Sequence, residues 1–221
     1  MTVASCILGS MNLTVFEDLL DYTGQPQFLD ELTVARSEFI ERTGDLFESD
    51  PSFDRRMSLF LEWFILDRVG PSGVRPLESF RQLRTADALT ETERSHLDSL
   101  AASRLTLMEF RSWRGGVGRF IDLLPRSRAR IACPVAPLGL TAGDIIECRR
   151  YQVDGEHFVS DAMTYLPRDA RRTVVKACKH ANKSPEPIDH ADFVHKITFL
   201  ANRGERYSHV APREIFKALT A

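Results

Sequence analysis

Three arginines stand at alternate positions in the second half of the chain: Arg126, Arg128 and Arg130. On a β-strand, alternate side chains leave the same face, so these guanidiniums would form one row. Rows of positive side chains follow a phosphate backbone well, and small barrels often bind nucleic acid. The alternatives are a solvated face, or docking of this face on an acidic part of the same chain.

Other basic residues could extend this row, and aromatic residues nearby could stack on bases. The basic candidates are Arg149, Arg150, Arg171, Arg172 and Lys176. The aromatic side chains of the same region are Phe120, Tyr151, Phe158 and Tyr165. At strand spacing, aromatic side chains more often fill a barrel than stack on bases, so nucleic acid ranks as the second hypothesis.

The ligand types of a zinc site occur near the C-terminal end, in Cys178, His180, His190 and His195. Cys178 and His180 are two positions apart on a predicted helix, which places them on different faces. His190 and His195 are five positions apart and are also poorly aligned. Structural zinc sites use tight paired spacings, so we predict no metal and no cofactor.

Two further patterns could carry chemistry. Glu62 and Asp67 lie in a strongly apolar segment and could form a buried carboxylate pair for acid–base work. Arg68 and the pair Arg55-Arg56 lie beside them, so we predict structural ion pairs instead. The glycine segment 115–118 lacks the Lys-Ser/Thr of a phosphate-binding loop, and we interpret it as a turn.

The first half of the chain has the periodicity of helices. Apolar residues at spacings of three, four and seven predict an amphipathic helix over 27–47. Residues 57–69 are apolar nearly all round, which predicts a central helix with Trp63 and Phe64 in the core. Pro76 favours the start of a short helix, and Thr90 begins a capping box for another that ends near residue 108.

Short apolar runs separated by turn signals follow the glycine segment. They are residues 120–124, 130–135, 145–151 and 157–160, and Asp154-Gly155 between the last two predicts a hairpin. Several short strands in about fifty residues are typical of a small barrel or curled sheet. Helical patterns return at 171–181, 192–202 and 213–219.

Charge is divided unevenly along the 221 residues, although the net charge is only −2. Up to Ser112, 11 Arg and no Lys face 19 acidic residues, and the remainder carries 18 basic against 12 acidic residues. Either the two parts face each other, or the basic part faces an acidic partner.

The four cysteines are widely spread, which fits a reducing compartment: Cys6, Cys133, Cys148 and Cys178. No apolar run approaches the length of a membrane span, and the longest is interrupted by Glu62. The segment before Cys6 resembles a lipid-attachment box but has no basic or apolar leader. We interpret it as a disordered leader or as sequence upstream of a start at Met11. The sequence thus predicts a cytoplasmic protein without a membrane partner.

Several motifs between residues 55 and 167 resemble an uncharacterised bacterial family. They are Phe60-x-Glu62-Trp63-Phe64-x-x-Asp67-Arg68, Pro76-Leu77-x-x-Phe80, Leu89-Thr90-x-x-Glu93-Arg94-x-x-Leu97, Glu109, Asp122-Leu123-Leu124 and Gly143-Asp144-x-x-x-x-Arg149. Members of that family pair a helical bundle with a small β-module and sometimes lie beside a SEC-C-type zinc motif. The resemblance implies this architecture. It implies no activity, and the Cys-rich zinc segment itself is missing from this chain.

These observations predict an α+β protein with an N-terminal helical bundle, a small β-barrel-like module and a helical C-terminal extension. The predicted divisions are an acidic helical domain at 11–112, the β-module at 113–167 and a basic helical extension at 168–221. We expect a non-catalytic adaptor or regulatory protein that binds a protein partner. Nucleic-acid binding by the basic half is the alternative, and an enzyme of unknown reaction ranks third.

Overall fold

The computed structural model describes residues 14–84, 89–137, 139–186, 188–207 and 209–219. The chain is α+β, as predicted. Cys6 and Met11, on which the N-terminal predictions depend, lie outside the described residues. The first part of the chain is helical, with α1 (Thr14–Thr23), α2 (Leu29–Thr43), α3 (Phe53–Leu66), α4 (Pro76–Leu83) and α5 (Glu91–Ala101).

Helix α3 lies at the centre of the helical part because it is apolar on nearly all sides. Phe64 and Ile65 are completely buried, and Trp63 keeps only 6% of its surface exposed. The ring centroids of Phe39 and Trp63 are 5.6 Å apart, and those of Phe60 and Phe64 are 6.2 Å apart. The prediction that Trp63 and Phe64 are core residues is confirmed.

Helices α4 and α5 begin where the local chemistry of the sequence places their first turns. Pro76 is the first residue of α4. At α5, the Thr90 hydroxyl accepts a hydrogen bond from the Glu93 amide, and the Glu93 carboxylate accepts one from the Thr90 amide. The predicted capping box is therefore formed and satisfies two amides of the helix end.

Five strands form one sheet in the described part of the chain. They are β1 (Arg104–Arg114), β2 (Val117–Asp122), β3 (Ser127–Ala132), β4 (Ile145–Val153) and β5 (Glu156–Tyr165). Their order is β1-β2-β3-β5-β4, and β4 also pairs with β1, so the sheet closes on itself as a barrel. Neighbouring strands are antiparallel except β3 and β5, which are parallel. Apolar side chains fill the interior, among them Met108, Phe110, Phe120, Ile131, Ile146 and Val159.

The β4–β5 hairpin turns at Asp154-Gly155, as the sequence predicts. Both residues have a positive φ, 49° at Asp154 and 81° at Gly155. Two-residue hairpin turns need this left-handed backbone, because it matches the twist of the strands they join.

The first strand lies where the sequence pattern predicts the end of a helix. Leu105 and Leu107 face the helices, whereas Met108 and Phe110 lie in the barrel interior. A strand buried on both faces has a continuous apolar pattern without alternation, so its period does not distinguish it from a helix. Gly115-Gly116 forms the β1–β2 turn, and the predicted domain boundary at 112/113 therefore falls inside a hairpin.

Helices return after β5, with α6 (Arg171–Ala181), α7 (His190–Arg206) and the single turn α8 (Pro212–Ile215). Helix α6 has the predicted bounds, and α7 is longer than predicted at both ends. One apolar core contains side chains from all three predicted divisions, such as Phe64, Ile145 and Ile197. The helices and the outer face of the barrel are thus packed together.

We expect Trp63→Ala to lower the free energy of unfolding by about 3–5 kcal/mol, because it leaves a cavity among packed rings. Thermal and urea denaturation followed by circular dichroism would measure the change. Leu83→Ala is the matched control, since Leu83 is 68% exposed. A Trp63→Ala protein that melts within about two degrees of the wild type would contradict the central position of α3.

Candidate nucleic-acid interface

The outer face of β2 and β3 carries exposed arginines. On β3, Arg128 and Arg130 are exposed and alternate with the buried Ala129 and Ile131. The register of the antiparallel pair places Arg119 of β2 directly opposite Arg130. The face therefore presents three guanidiniums from two neighbouring strands.

Arg126 is exposed but does not lie on the strand. It belongs to the β2–β3 turn and has a φ of 50°, in the left-handed region. The predicted row of Arg126, Arg128 and Arg130 is corrected in this respect, because the turn takes Arg126 out of the strand alternation. The third arginine of this face is instead Arg119. It lies opposite Arg130 because of the register of the β2–β3 hairpin.

These face arginines have no carboxylate partner among the described residues. Arg119, Arg128 and Arg130 take part in none of the ion pairs found there. Like charges directly opposite each other on neighbouring strands are destabilising. The Arg119–Arg130 pair therefore maintains a local repulsion that an anion would relieve.

Arg149 is not available to a phosphate, which corrects its inclusion in the predicted basic set. It lies on β4, and its side chain is only 2% exposed. Its guanidinium is hydrogen-bonded to Asp67 and, at 3.1 Å, to the Ser103 hydroxyl, and it lies 3.6 Å from the Glu62 carboxylate. The residue thus joins the barrel to α3.

The remaining basic candidates divide into paired and exposed residues. Arg150 donates to Asp122 at 3.0 Å, and Arg171 donates to Glu109 at 2.5 Å. Arg172 is exposed on α6, as is Lys176. The structure therefore does not bring the eight predicted residues together on one surface.

The predicted ion pairing of Glu62 and Asp67 occurs, but with Arg149 rather than with the neighbouring arginines. Arg68 instead pairs with Glu31 and Glu38 of α2, both at 2.7 Å. The sequence analysis predicted the wrong partners for Glu62 and Asp67, because Arg149 is far from both in the chain. These carboxylates therefore serve as a structural junction.

Arg56 is also buried, and it donates to the carbonyl oxygens of Gly44 and Asp45 at 2.6 and 2.7 Å. These oxygens follow the last turn of α2. The guanidinium thus satisfies backbone acceptors that the helix end leaves open.

Glu62 and Glu147 are two buried acids whose pKa values are raised. Burial raises the pKa of Glu62 to about 7, although Arg149 opposes the shift. Burial likewise raises the pKa of Glu147 to about 7, against a hydrogen bond with Thr198 and the charge of Arg56. Each acid therefore titrates near neutral pH.

The four metal-ligand candidates do not come together. Cys178 is buried on α6 and His180 is exposed on the same helix. His190 is the first residue of α7, and His195 is buried between the rings of Phe39 and Trp63. Within the described ranges, no group of three or more His, Cys, Asp or Glu side chains could hold a metal ion.

Three other predictions concern the cysteines, the glycine segment and the membrane. Cys133, Cys148 and Cys178 are buried, and no disulfide joins them. The glycine segment is followed by β2, so it lacks the helix that a phosphate-binding loop requires. Among the helices that the structure describes, none is long and apolar enough to cross a membrane.

No protein-family model, curated protein or solved structure matches this chain. The resemblance to the family of helical bundles with a small β-module therefore stays a prediction.

We expect the stability of the protein to fall between about pH 4.5 and pH 7, partly because of Glu147. Its pKa is higher in the folded chain than in the unfolded chain, so the folded state binds the proton more tightly. The stability that protonated Glu147 contributes is complete below its pKa in the unfolded chain. It is lost as the pH rises through its pKa in the folded chain. A shift of this size corresponds to about 3 kcal/mol.

Glu147→Gln should therefore raise the melting temperature at pH 8.5 and change it little at pH 4.5. Glu156→Gln is the control, because Glu156 is exposed on β5. Melts of both variants and the wild type across this pH range would measure the effect. A Glu147→Gln variant that is less stable than the wild type at pH 8.5 would instead show that the Arg56 charge outweighs the cost of burial.

Proposed function

We propose that this protein binds nucleic acid, and that the exposed arginines of β2 and β3 contact the phosphate backbone. The observation that carries this proposal is the Arg119–Arg130 pair, which places two guanidiniums opposite each other with no carboxylate bonded to either among the described residues. Arg128 extends the same face toward the β2–β3 turn, where Arg126 is also exposed.

Phosphates suit this face for an electrostatic reason. Each phosphate that meets a guanidinium releases condensed counterions from the nucleic acid, which favours binding at moderate salt. The same contact removes the repulsion between Arg119 and Arg130. Arginine also presents a planar fork of N–H donors that can hold two phosphate oxygens at once.

The architecture gives further support by analogy. Five-stranded Greek-key barrels of the OB type bind oligonucleotides on the face of their second and third strands. In this protein the exposed arginines lie on β2 and β3 of a five-stranded barrel. An analogy of fold does not establish function, so the proposal depends on the arginines themselves.

Trp113 favours a single strand over a duplex as the ligand. It lies near the end of β1 opposite Gly118, so strand alternation places it on the interior side of the sheet at the end of the barrel and not on the face of Arg119. Its surface is 37% exposed. Its indole N–H donates to the carbonyl of Cys133 at 2.8 Å, which fixes the ring. A fixed ring that is exposed at the end of the barrel can stack on an unpaired base, whereas the bases of a duplex are already paired and stacked.

The adaptor role that the sequence ranks first becomes the second candidate. Phe199 and Tyr207 are 38% and 48% exposed, and both line a groove of about 410 Å3 between α2 and α7. Exposed aromatic side chains at a groove are typical of protein contacts. This surface lies on the helical part of the molecule, away from β2 and β3.

Salt dependence tests the nucleic-acid proposal. Three arginine contacts predict a log–log slope of affinity against salt near −2.1 for single strands. Arg119→Gln/Arg130→Gln should reduce the size of this slope by about 1.4 and weaken binding to every sequence alike. Fluorescence anisotropy with a labelled single-stranded oligonucleotide between about 50 and 300 mM salt would measure both effects.

Arg36→Gln/Arg55→Gln is the matched control, because it removes the same charge from exposed helical positions. It should leave the slope unchanged. The double variant of the face should melt at or above the temperature of the wild type, since it removes a repulsion. The proposal would be refuted if the two double variants showed equal slopes of affinity against salt concentration. It would also be refuted if the wild type showed no salt-dependent binding.

For the second candidate, Phe199→Ser/Tyr207→Ser should abolish capture of a protein partner from a nuclease-treated lysate. The melting temperature should change little, because both side chains are substantially exposed. The control is Val135→Ser, which alters an exposed apolar residue of the barrel loop. Capture that persists in the Phe199→Ser/Tyr207→Ser variant would exclude this groove as the binding surface.

A further inference from the structure

A cleft of about 790 Å3 lies between α5 and the β4–β5 hairpin. Its lining includes Arg104 from the start of β1, Arg150 from β4 and His157 from the start of β5. The volume lies in the range of sites that hold small molecules and cofactors. None of the exposed arginines of β2 and β3 lines this cleft.

The two arginines are held by one buried acid. Asp122 has no exposed surface, and its Oδ1 accepts a hydrogen bond from the Thr106 hydroxyl at 2.6 Å. Its Oδ2 accepts from Arg104 at 3.1 Å and from Arg150 at 3.0 Å. One carboxylate balances only one of the two guanidiniums, so this cluster retains a positive charge.

Both guanidiniums also reach the cleft. The side chain of Arg104 is 45% exposed and that of Arg150 is 18% exposed. A guanidinium carries five N–H donors, and the bond to Asp122 occupies only part of them. The Asp122 carboxylate therefore holds two guanidiniums next to each other at the cleft without neutralising the charge of both.

His157 also lines the cleft, and one of its two ring nitrogens is unsatisfied. Its Nδ1 is buried and has no hydrogen-bond partner among the described residues. Burial lowers the pKa of His157, and the charges of Arg150 and Arg104 lower it further. The imidazole is therefore neutral at physiological pH and can accept or donate one hydrogen bond.

The rim of the cleft selects against a long polyanion. Glu91 and Asp98 of α5 and Asp154 of the hairpin line it, and Asp98 is also bonded to Arg81. If a polynucleotide bound here through one phosphate, the phosphates on either side of it would approach these carboxylates and be repelled. A compact ligand with one phosphorylated end avoids this contact.

We propose that this cleft binds a small phosphorylated molecule of nucleotide size, with its phosphate on Arg104 and Arg150 and a polar group within reach of His157. The site is separate from the face of β2 and β3, and it does not depend on nucleic-acid binding. Ser95 and Ser99 of α5 supply hydroxyl groups for the remainder of the ligand.

Inorganic pyrophosphate is the probe, because the recognition lies at the phosphate. Isothermal titration at constant ionic strength should show saturable binding with a Kd below about 1 mM. Arg104→Gln should weaken it by at least about tenfold, since a charge-assisted hydrogen bond is lost. In this variant the buried Asp122 carboxylate still accepts a hydrogen bond from Arg150, so its charge remains paired and the fold is preserved.

Arg119→Gln/Arg130→Gln is the matched control and should bind pyrophosphate as the wild type does. Conversely, Arg104→Gln should keep the affinity of the protein for a single-stranded oligonucleotide, so the two proposals can fail independently. The proposal is overturned if pyrophosphate does not bind, or if Arg104→Gln binds it as tightly as the wild type does.

A measurement on the unmodified chain avoids any question of folding in the variants. In NMR spectra that detect the ring nitrogens of histidine, pyrophosphate should shift the signals of His157 and raise its pKa, because a nearby anion favours the imidazolium. The signals of His180, exposed on α6, should not move. Unchanged His157 signals at saturating pyrophosphate would overturn the proposal.

Discussion

The guanidinium of Arg149 is buried between α3 and β4, where it bonds Asp67 and Ser103 and faces Glu62. Removing these charges from water is costly, and only several well-placed partners offset that cost. The cluster therefore tolerates only a narrow range of positions of α3 on the barrel. This alignment in turn decides which barrel faces are covered by helices and which meet solvent.

The uneven charge along the chain is explained by this arrangement. Arginines at the contacts between the barrel and the helices are paired with acids, as Arg149 of β4 is with Asp67 and Arg171 of α6 is with Glu109 of β1. The arginines on the outer face of β2 and β3 have no such partner in the described part of the chain. Part of the basic charge thus docks internally on acids of the first half of the chain, and part faces outward.

Local signals in the sequence predicted local structure well. The capping box at Thr90, the turn at Asp154-Gly155 and the bounds of α6 all depend on residues close together in the chain. Strand β1 was missed because burial on both faces removes the alternation by which a strand is recognised. Periodicity carries no information about such a strand.

The candidate sites depended on long-range pairing, and here the sequence was less informative. Arg119 belongs to the arginine face because of the β2–β3 register. Arg149 is not exposed on the barrel because α3 covers it on β4. Asp122 of β2 likewise holds Arg104 of β1 and Arg150 of β4. Residue types suggested the chemistry, whereas topology decided which residues share a site.

Helices α2 and α7 close the core together, although most of the chain separates them. The Asn202 side chain donates to the carbonyl of Thr43 at 2.6 Å, and Arg42 pairs with Asp192. Contacts of such long range slow folding, because a large loop must close before they form. During synthesis, α1–α5 leave the ribosome with the apolar surface that α7 later covers still exposed to water. The nascent chain is thus most exposed to aggregation, and most in need of chaperones, before α7 is made.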